Sequence, residues 1–333
     1  MQRSYFRLAF VLYAVVGCGD RPPIQHAAAG TTANILALAQ PSLQQESDYE
    51  MAARAIPGAL KTIEGFYVAD NQDKLRAILA EGYCQYATAF VEDEWEVAKF
   101  AKKLDDVDYH NVRASKMFTR SLNYALADLG DDWAKDLFGT PEAAAKRIGN
   151  TTQKHRTELM WTGLALGGLI NHNLTKVEML SYLPTVKAIV NRVIALDTAK
   201  YGDIDGVKAE PCGNSDSRAA CIVHLALPHI ALGMVWSGAS VSFGGDPKVA
   251  AEQFQTALRI SATKQYPEGR MLLARVLWAY RVGLQTNDRK LFHAQLVKVL
   301  ETDPAIWPEQ RLANEVAHRR ARRYLSHEKE LFQ

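Results

Sequence analysis

The chemistry that this sequence could carry is most visible at its cysteines, of which there are four. Cys212 and Cys221 are nine positions apart in a stretch rich in Gly, Asn, Ser and Asp, a composition typical of a loop. We favour a disulfide that closes this loop, which indicates an oxidising compartment. A metal site is the weaker alternative, because no second pair of Cys or His residues with zinc-ligand spacing lies nearby. Cys84 lies in an aromatic segment and is interpreted as a small buried hydrophobe.

The N-terminal segment has the organisation of a secretory signal. Arg3 and Arg7 form a short basic region, and about nine apolar residues follow over 8–16, fewer than the roughly 20 of a membrane-spanning helix. The tetrapeptide that ends at Cys18 combines two valines, a glycine and the cysteine, and it resembles the lipobox of bacterial lipoproteins. We therefore expect residues 1–17 to be a signal peptide and Cys18 to be lipidated. An ordinary signal peptide and a short N-terminal helix are the alternatives.

Lipidation at Cys18 implies a protein of the bacterial cell envelope, held at a membrane by its N-terminal lipid and facing the periplasm. By resemblance to Gram-negative sorting signals, Gly19 leaves outer-membrane delivery open and Asp20 keeps inner-membrane retention open, and we favour the outer membrane. Residues 18–32 contain two adjacent prolines and an alanine run, and they are expected to form a flexible tether. Residues 33–333 are then expected to form one helical domain.

The remaining titratable residues form no catalytic signature. Glu92, Asp93 and Glu94 could act as acids and bases, but no Ser, His or Cys nearby gives them a reacting partner, so we favour a solvated turn or a polar subunit contact. His224 and His229 are five positions apart, which points them in different directions on a helix and disfavours a metal pair. The sequence has no phosphate-binding glycine loop, nucleophile elbow or HExxH motif. We therefore expect no enzyme activity, no metal and no cofactor.

The composition is that of an ordinary globular protein, with 48% apolar and 23% charged residues among 333. A formal net charge of +2 argues against a nucleic acid partner, since phosphate binding normally requires a strongly basic face. One basic cluster lies near the C-terminus and consists of Arg311, His318, Arg319, Arg320, Arg322 and Arg323. Anionic lipid or an acidic partner could bind it, but we favour a solvated helix that caps the end of a helical array.

Hydrophobic periodicity predicts an all-α chain. Apolar residues recur every 3.6 positions in stretches of helical length, and Gly, Pro, Asn and Asp separate these stretches. The predicted helices cover 75–91, 112–129, 159–170, 177–196, 222–236, 249–260, 271–284, 291–300 and 312–325. Asp246-Pro247 and Asn287-Asp288 supply helix starts. Residues 130–150 are expected to form a longer connection with one short helix.

Several of these helices place small or bulky apolar residues at i, i+4 and i+7, as the second helix of a tetratricopeptide unit does. The fitting triplets are Ala114, Phe118 and Ser121; Val186, Val190 and Val193; Ala250, Phe254 and Ala257; and Phe292, Leu296 and Val299. Small residues let paired helices approach closely while the bulky one fills the space between hairpins. This pattern predicts an array of tetratricopeptide-like antiparallel helix hairpins, with a generic helical bundle as the alternative.

Three stretches carry a resemblance to a known family. The first is 86–94, the second runs from Trp161 to 195–197, and the third runs from Arg289 through Asp303-Pro304 to Arg322. In this order they are similar to the TatT family, the lipoprotein T component associated with TRAP transporters. The resemblance covers about residues 33–333. One departure is the loop over 202–220, which looks longer than the family's usual connection.

The resemblance implies a helical array that assembles as a homotrimer, with a mostly apolar pore or cavity in each protomer. It also implies an accessory role in TRAP-type solute uptake, in which the chain docks the solute-binding protein and binds or relays a small organic or hydrophobic ligand. A tetratricopeptide scaffold for envelope protein assembly is the rival hypothesis, and an envelope hydrolase is a weaker one.

Four residues are the candidates for lining such a pore. Leu277 and Arg281 are expected to face the inner groove of the last hairpin, and Tyr83 and Trp161 complete the set. Trp161 begins a helix rich in glycine, where small residues could open a channel. Tight packing between helices is the favoured explanation for those glycines.

Overall fold

The structure is a computed structural model that describes residues 23–202, 212, 218–239 and 241–333. The predicted signal peptide, the lipidation site Cys18 and most of the loop before Cys221 lie outside these residues. Every regular element in the described ranges is a helix, so the predicted all-α class is confirmed.

In the first half of the chain, the described residues form eight α-helices. They are α1 (Pro23–Gln44), α2 (Tyr49–Ala69), α3 (Asp73–Tyr86), α4 (Glu92–Phe100), α5 (Leu104–Leu129), α6 (Asp132–Leu137), α7 (Pro141–Gly149) and α8 (Arg156–Asn171). A π-helical turn, Ala87–Val91, joins α3 to α4, so that the three segments form one continuous rod. A short 3₁₀ turn, Gln153–His155, precedes α8.

Nine α-helices follow among the residues that the structure describes in the second half. They are α9 (Val177–Leu180), α10 (Leu183–Tyr201), α11 (Arg218–Ser237), α12 (Pro247–Ile260), α13 (Leu272–Leu277), α14 (Gly283–Gln285), α15 (Arg289–Glu301), α16 (Arg311–Ser326) and α17 (Glu328–Leu331). A second π-helical turn, Trp278–Val282, joins α13 to α14. Three short 3₁₀ turns, Val241–Phe243, Pro304–Ile306 and Pro308–Gln310, lie in the connections.

The predicted helix starts are confirmed by their hydrogen bonds. The Asp246 side chain accepts from the backbone N–H groups of Lys248 and Val249, and Pro247 occupies the first helical position of α12. Asp288 caps α15 in the same way by accepting from the N–H of Leu291.

Two predictions of local structure are wrong. The tether expected over 18–32 is helical from Pro23 onward, because α1 packs on α3 and buries Ala33. The 130–150 connection holds two short helices instead of one. The second of these forms because Thr140 caps it, accepting from the N–H of Ala143, and Pro141 fixes its first turn.

The apolar residues of these helices form four clusters along the chain. The first joins α1, α2, α3, α5 and α8, the second joins α5 to α8 with α10 and α11, the third joins α11 to α13, and the fourth joins α13, α15 and α16. All twelve residues of the small-and-bulky triplets are buried. Their burial agrees with a close helix-to-helix face, while the repeat arrangement itself stays a prediction.

Two stretches in the described part of the chain, Val177–Tyr201 and Arg218–Ser237, are long and apolar enough to cross a membrane by length and composition. Helices that are buried in a protein core also meet these criteria of length and composition. Val177–Tyr201 contributes buried residues to the second cluster, and Arg218–Ser237 contributes them to the second and third.

Close packing explains the glycines of α8. A Cβ atom on Gly168 would lie 2.5 Å from the Phe118 ring, and one on Gly163 would lie 2.7 Å from Ile189. A Cβ on Gly167, by contrast, would meet Val186 at 3.7 Å, which is an ordinary contact.

We expect opposite effects from two neighbouring substitutions in α8. Gly168→Ala should lower the free energy of unfolding by about 1–3 kcal/mol, because the buried Phe118 ring has to move. Gly167→Ala should raise it by up to about 1 kcal/mol, since alanine favours the helix and the new methyl group has room. Chemical denaturation of both variants checks this. Equal effects of the same sign would contradict the close contact between α8 and α5.

Candidate functional site

An interior cluster of charges joins the acidic helix α4 to the basic helix α16. Asp93, fully buried, accepts hydrogen bonds from Arg319 Nε at 2.6 Å and from Arg323 Nη1 at 2.7 Å. The hydroxyl of Tyr49 on α2 donates to the same carboxylate at 3.0 Å. These contacts tie residues more than 220 positions apart in sequence.

The π-helical turn before α4 supplies a hydrogen-bond acceptor to a third arginine. Arg320 is only 3% exposed, and its Nη2 donates to the backbone carbonyl of Thr88 at 2.6 Å. A π turn interrupts the regular i to i−4 ladder, so that its carbonyl groups can accept from a side chain. The same guanidinium lies 3.9 Å from carboxylate oxygens of both Glu92 and Glu96.

Glu96, the last acid of the cluster along α4, completes the network of contacts. It accepts from Arg323 and from the hydroxyl of Tyr324, the latter at 2.7 Å. The Tyr324 ring stacks on Tyr280 of the second π turn, with ring centres 4.1 Å apart. We call the six charged residues of this network the α4–α16 charge cluster: Glu92, Asp93, Glu96, Arg319, Arg320 and Arg323.

The charges of this cluster favour the ionised forms of Asp93 and Glu92. Burial would raise the pKa of Asp93, but the Arg323 charge and the Arg319 hydrogen bond lower it below its ordinary value. Burial opposes ionisation of Glu92 as well, and the hydrogen bond from His172 with the charge of Arg320 lowers its pKa. The pKa of Arg320 is raised, because the neighbouring carboxylates outweigh its burial.

Two sequence-based interpretations of these charges, a solvated turn and a solvated terminal helix, are wrong, and the alternative of a polar subunit contact stays a prediction. Glu92 and Asp93 are not in a solvated turn, and α16 is not a solvated cap, because each supplies the countercharges of the other. The sequence held a signal for this pairing: acids stand at 92, 93 and 96, and arginines at 319, 320 and 323. Both sets follow the spacing i, i+1, i+4, which places each on one helix face.

A groove of about 470 Å³ opens between α5 and the C-terminal end of α8. We call it the basic groove, and its lining residues are Asn111, Val112, Ser115, Lys116, Thr119, Arg120, His172, Asn173 and Lys176. Three of these are cations and none is a carboxylate. Arg120 is partly neutralised by Glu64 at 4.0 Å. The arrangement suits a small anion with some apolar surface.

His172 connects the basic groove to the α4–α16 charge cluster. Its Nε2 lies 3.0 Å from Glu92 Oε1, and its Nδ1 lies 2.7 Å from Asn111 Oδ1, so both ring nitrogens face acceptor oxygens. The backbone carbonyl of His172 in turn accepts from the Asn111 amide at 2.9 Å. No pattern in the sequence singles out His172, since nothing around this lone histidine indicates its two partners.

A second groove, of about 350 Å³, lies beside the predicted disulfide. We call it the disulfide groove, and its lining residues are Gln153, Arg156, Thr157, Lys200, Tyr201, Ala220, Cys221 and His224. Cys212 and Cys221 are bonded in the structure, with Cα atoms 5.7 Å apart. Arg156 forms two hydrogen bonds to Asp197, both side chains being 2% exposed.

His224 of the disulfide groove is held neutral by its surroundings. Burial and the charges of Arg156 and Lys200 lower its pKa from 6.5 to about 4. An Asp197 oxygen lies 3.8 Å from its Nε2.

We expect the His224 ring to titrate in the folded protein with a midpoint near pH 4. The unfolded chain binds this proton near pH 6.5, so this group's contribution to stability is complete above pH 6.5 and decreases as the pH falls toward 4. NMR titration of the ring protons, assigned with His224→Gln, measures the midpoint. A midpoint at 6.5 would contradict the burial of this ring.

The four predicted pore residues do not line either groove. Trp161 and Leu277 are buried in the first and third apolar clusters. Tyr83 is buried too, but its hydroxyl accepts from Arg120 of the basic groove at 3.3 Å. Arg281 is half-buried in the second π turn, and its charge contributes to lowering the pKa of Glu92.

The basic groove has room for a small molecule, and its hydroxyl groups form hydrogen bonds within the protein. Thr119 donates to the carbonyl of Ser115, and the Ser115 hydroxyl accepts from Asn173. Both nitrogens of His172 face acceptor oxygens of Asn111 and Glu92 rather than these hydroxyl groups. In the described residues no three His, Cys, Asp or Glu side chains are grouped to hold a metal ion.

Comparison with known proteins agrees with the resemblance noted in the sequence. A family model described as the TRAP transporter T-component matches residues 45–206 and 226–332. The match therefore covers α2 to α10 and most of the chain from α11 to α17, including both sides of the α4–α16 charge cluster. The intervening residues 207–225, with Cys212 and Cys221, fall outside it. No curated protein matches the sequence significantly. The chain belongs to the TRAP transporter T-component family.

Proposed function

We propose that this protein is a periplasm-facing lipoprotein, anchored through Cys18, that serves a TRAP-type uptake system by docking the solute-binding protein and by binding or relaying a small organic or hydrophobic ligand. The family supports an accessory role in TRAP transport. Assembly as a homotrimer and a disulfide between Cys212 and Cys221 belong to the same proposal.

The basic groove is the observation that carries the ligand part of this proposal. Its walls present Lys116, Arg120 and Lys176 without a carboxylate among the lining residues, and Val112 adds an exposed apolar surface. A small carboxylate with a short apolar body matches both features. Tyr83 stays a candidate for ligand contact through its bond to Arg120, and Arg281 through its electrostatic link to Glu92.

Calorimetric titration with acetate, pyruvate, succinate and hexanoate tests the ligand class. The double variant Lys116→Ala/Lys176→Ala should weaken binding of any carboxylate that binds by at least about tenfold, which corresponds to about 1.4 kcal/mol. Lys264→Ala/Lys290→Ala removes two exposed lysines elsewhere and is the matched control. Unchanged affinity in the groove variant would contradict this site.

A second candidate function is a scaffold that assembles envelope proteins without carrying a small molecule. The observation in its favour is that Trp161 and Leu277, two of the predicted pore residues, pack inside apolar clusters. The absence of binding by every carboxylate, combined with capture of an envelope protein by the purified chain, would favour this scaffold over the relay.

A further inference from the structure

Helix α1 carries no charged side chain in its 22 residues. Most of its side chains are nevertheless exposed or half-exposed, and Ala33 is the buried exception among those that the structure describes. The next helix, α2, is similar in length and carries Glu50, Arg54, Lys61 and Glu64. A helix face in contact with water normally carries charges, so the composition of α1 indicates a different neighbour.

The exposed surface of α1 includes large apolar side chains. Ile35 is 60% exposed and Leu38 is 81% exposed, and their spacing of three places them on one face of the helix. Val68, near the end of α2, is 73% exposed. That end of α2 lies beside the start of α1, because the His26 ring contacts Asp70 at 3.0 Å. Large apolar side chains are therefore exposed in the middle of α1 and, at Val68 of α2, beside the N-terminal end of α1.

The position of the lipid anchor indicates what this surface meets. Five peptide units separate Cys18 from Pro23, the first residue of α1, and they span at most about 17 Å when fully extended. The helix itself is about 33 Å long. A lipid on Cys18 would therefore hold the start of α1 close to the bilayer and leave the whole helix within reach of the surface.

We propose that α1 lies along the bilayer surface, with Ile35 and Leu38 in contact with the phospholipid headgroup and upper acyl region. The inference rests on the lipidation of Cys18 in the proposed function. It adds a second contact to the acyl anchor and orients the domain, since a helix in the interface plane fixes which side faces the membrane.

Spin labelling of the full lipidated chain tests this orientation. A nitroxide is attached at Leu38→Cys, and Val241→Cys, 67% exposed between α11 and α12, is the matched control. Cys84 is buried, and Cys212 is bonded to Cys221, so the introduced cysteine is the one expected to react. Accessibility to oxygen and to a water-soluble nickel chelate is measured in detergent and on phosphatidylethanolamine–phosphatidylglycerol vesicles.

On vesicles we expect the ratio of oxygen to nickel accessibility at position 38 to rise several-fold, with no change at position 241. A label at 38 that stays accessible to nickel while the chain co-sediments with vesicles would overturn the inference and leave the anchor intact. A label at 38 with low accessibility to both reagents already in detergent would indicate that a second copy of the chain covers this surface. That result would also overturn the inference. Failure to co-sediment would contradict lipidation at Cys18 itself.

Discussion

Asp197→Asn is expected to lower the free energy of unfolding by about 4 kcal/mol. The carboxylate accepts two hydrogen bonds from Arg156, and both side chains are almost fully buried. Asparagine has nearly the same shape but no charge, so the guanidinium would stay buried without its countercharge. Its contacts with His224, to the backbone carbonyl at 2.7 Å and to the ring Nδ1 at 3.3 Å, cannot replace that charge. Urea denaturation monitored by circular dichroism measures the effect.

A double variant separates the cost of an unpaired charge from the value of the pair. Arg156→Met/Asp197→Leu removes both charges and fills the space with apolar atoms, and it should recover most of the stability lost in Asp197→Asn. A double variant no more stable than the single one would mean that the pair itself, and not the unpaired arginine, accounts for the loss.

Asp93→Asn is expected to lower the free energy of unfolding by about 3 kcal/mol, which is at the lower end of the usual loss when a buried ion pair is broken. The lower value follows because Arg319 is 37% exposed and Arg323 keeps its contact with Glu96. Glu94→Gln is the matched control, since Glu94 is the neighbouring acid and its side chain lies outside the α4–α16 charge cluster. The control should change stability by less than about 0.5 kcal/mol. Equal effects of the two substitutions would contradict the role of Asp93.

The pH dependence gives an independent check on the same cluster. The pKa values of Glu92 and Asp93 are lowered in the folded protein, so their contribution is fully present above their unfolded values near 4 and is lost as the pH falls through the folded values. The difference in the free energy of unfolding between the wild type and Asp93→Asn should therefore become smaller below about pH 4. A difference that stays constant down to pH 3 would contradict this linkage.

The helical periodicity of the sequence predicted much of the fold, and the elements that it did not predict have local causes. The buried triplets, such as Ala250, Phe254 and Ala257, lie where the spacing placed them. Helices α1 and α2 were missed because Pro41 and Pro57, which usually end helices, lie inside them. The π turns were also beyond prediction, since they depend on the packing that supplies a partner such as Arg320 to a carbonyl.

The site was less predictable than the fold because it is built from distant segments. Glu92 and Arg320 were both noticed as members of charged clusters, but each cluster taken alone has the composition of a solvated helix. Their pairing is a tertiary contact across more than 220 positions. The basic groove likewise combines two exposed lysines with His172, whose partners come from α4 and α5. Only the matching i, i+1, i+4 spacing of acids and arginines could have indicated the pairing in advance.

Native mass spectrometry of the chain without residues 1–18, mixed with a TRAP solute-binding protein from the same transport system, tests the proposed docking function. We predict a trimer that takes up the solute-binding protein in a defined ratio. Added succinate or hexanoate, if bound, should appear as a mass increment that the Lys116→Ala/Lys176→Ala variant reduces. A monomer that binds no solute-binding protein under conditions where both proteins are folded would contradict the claim.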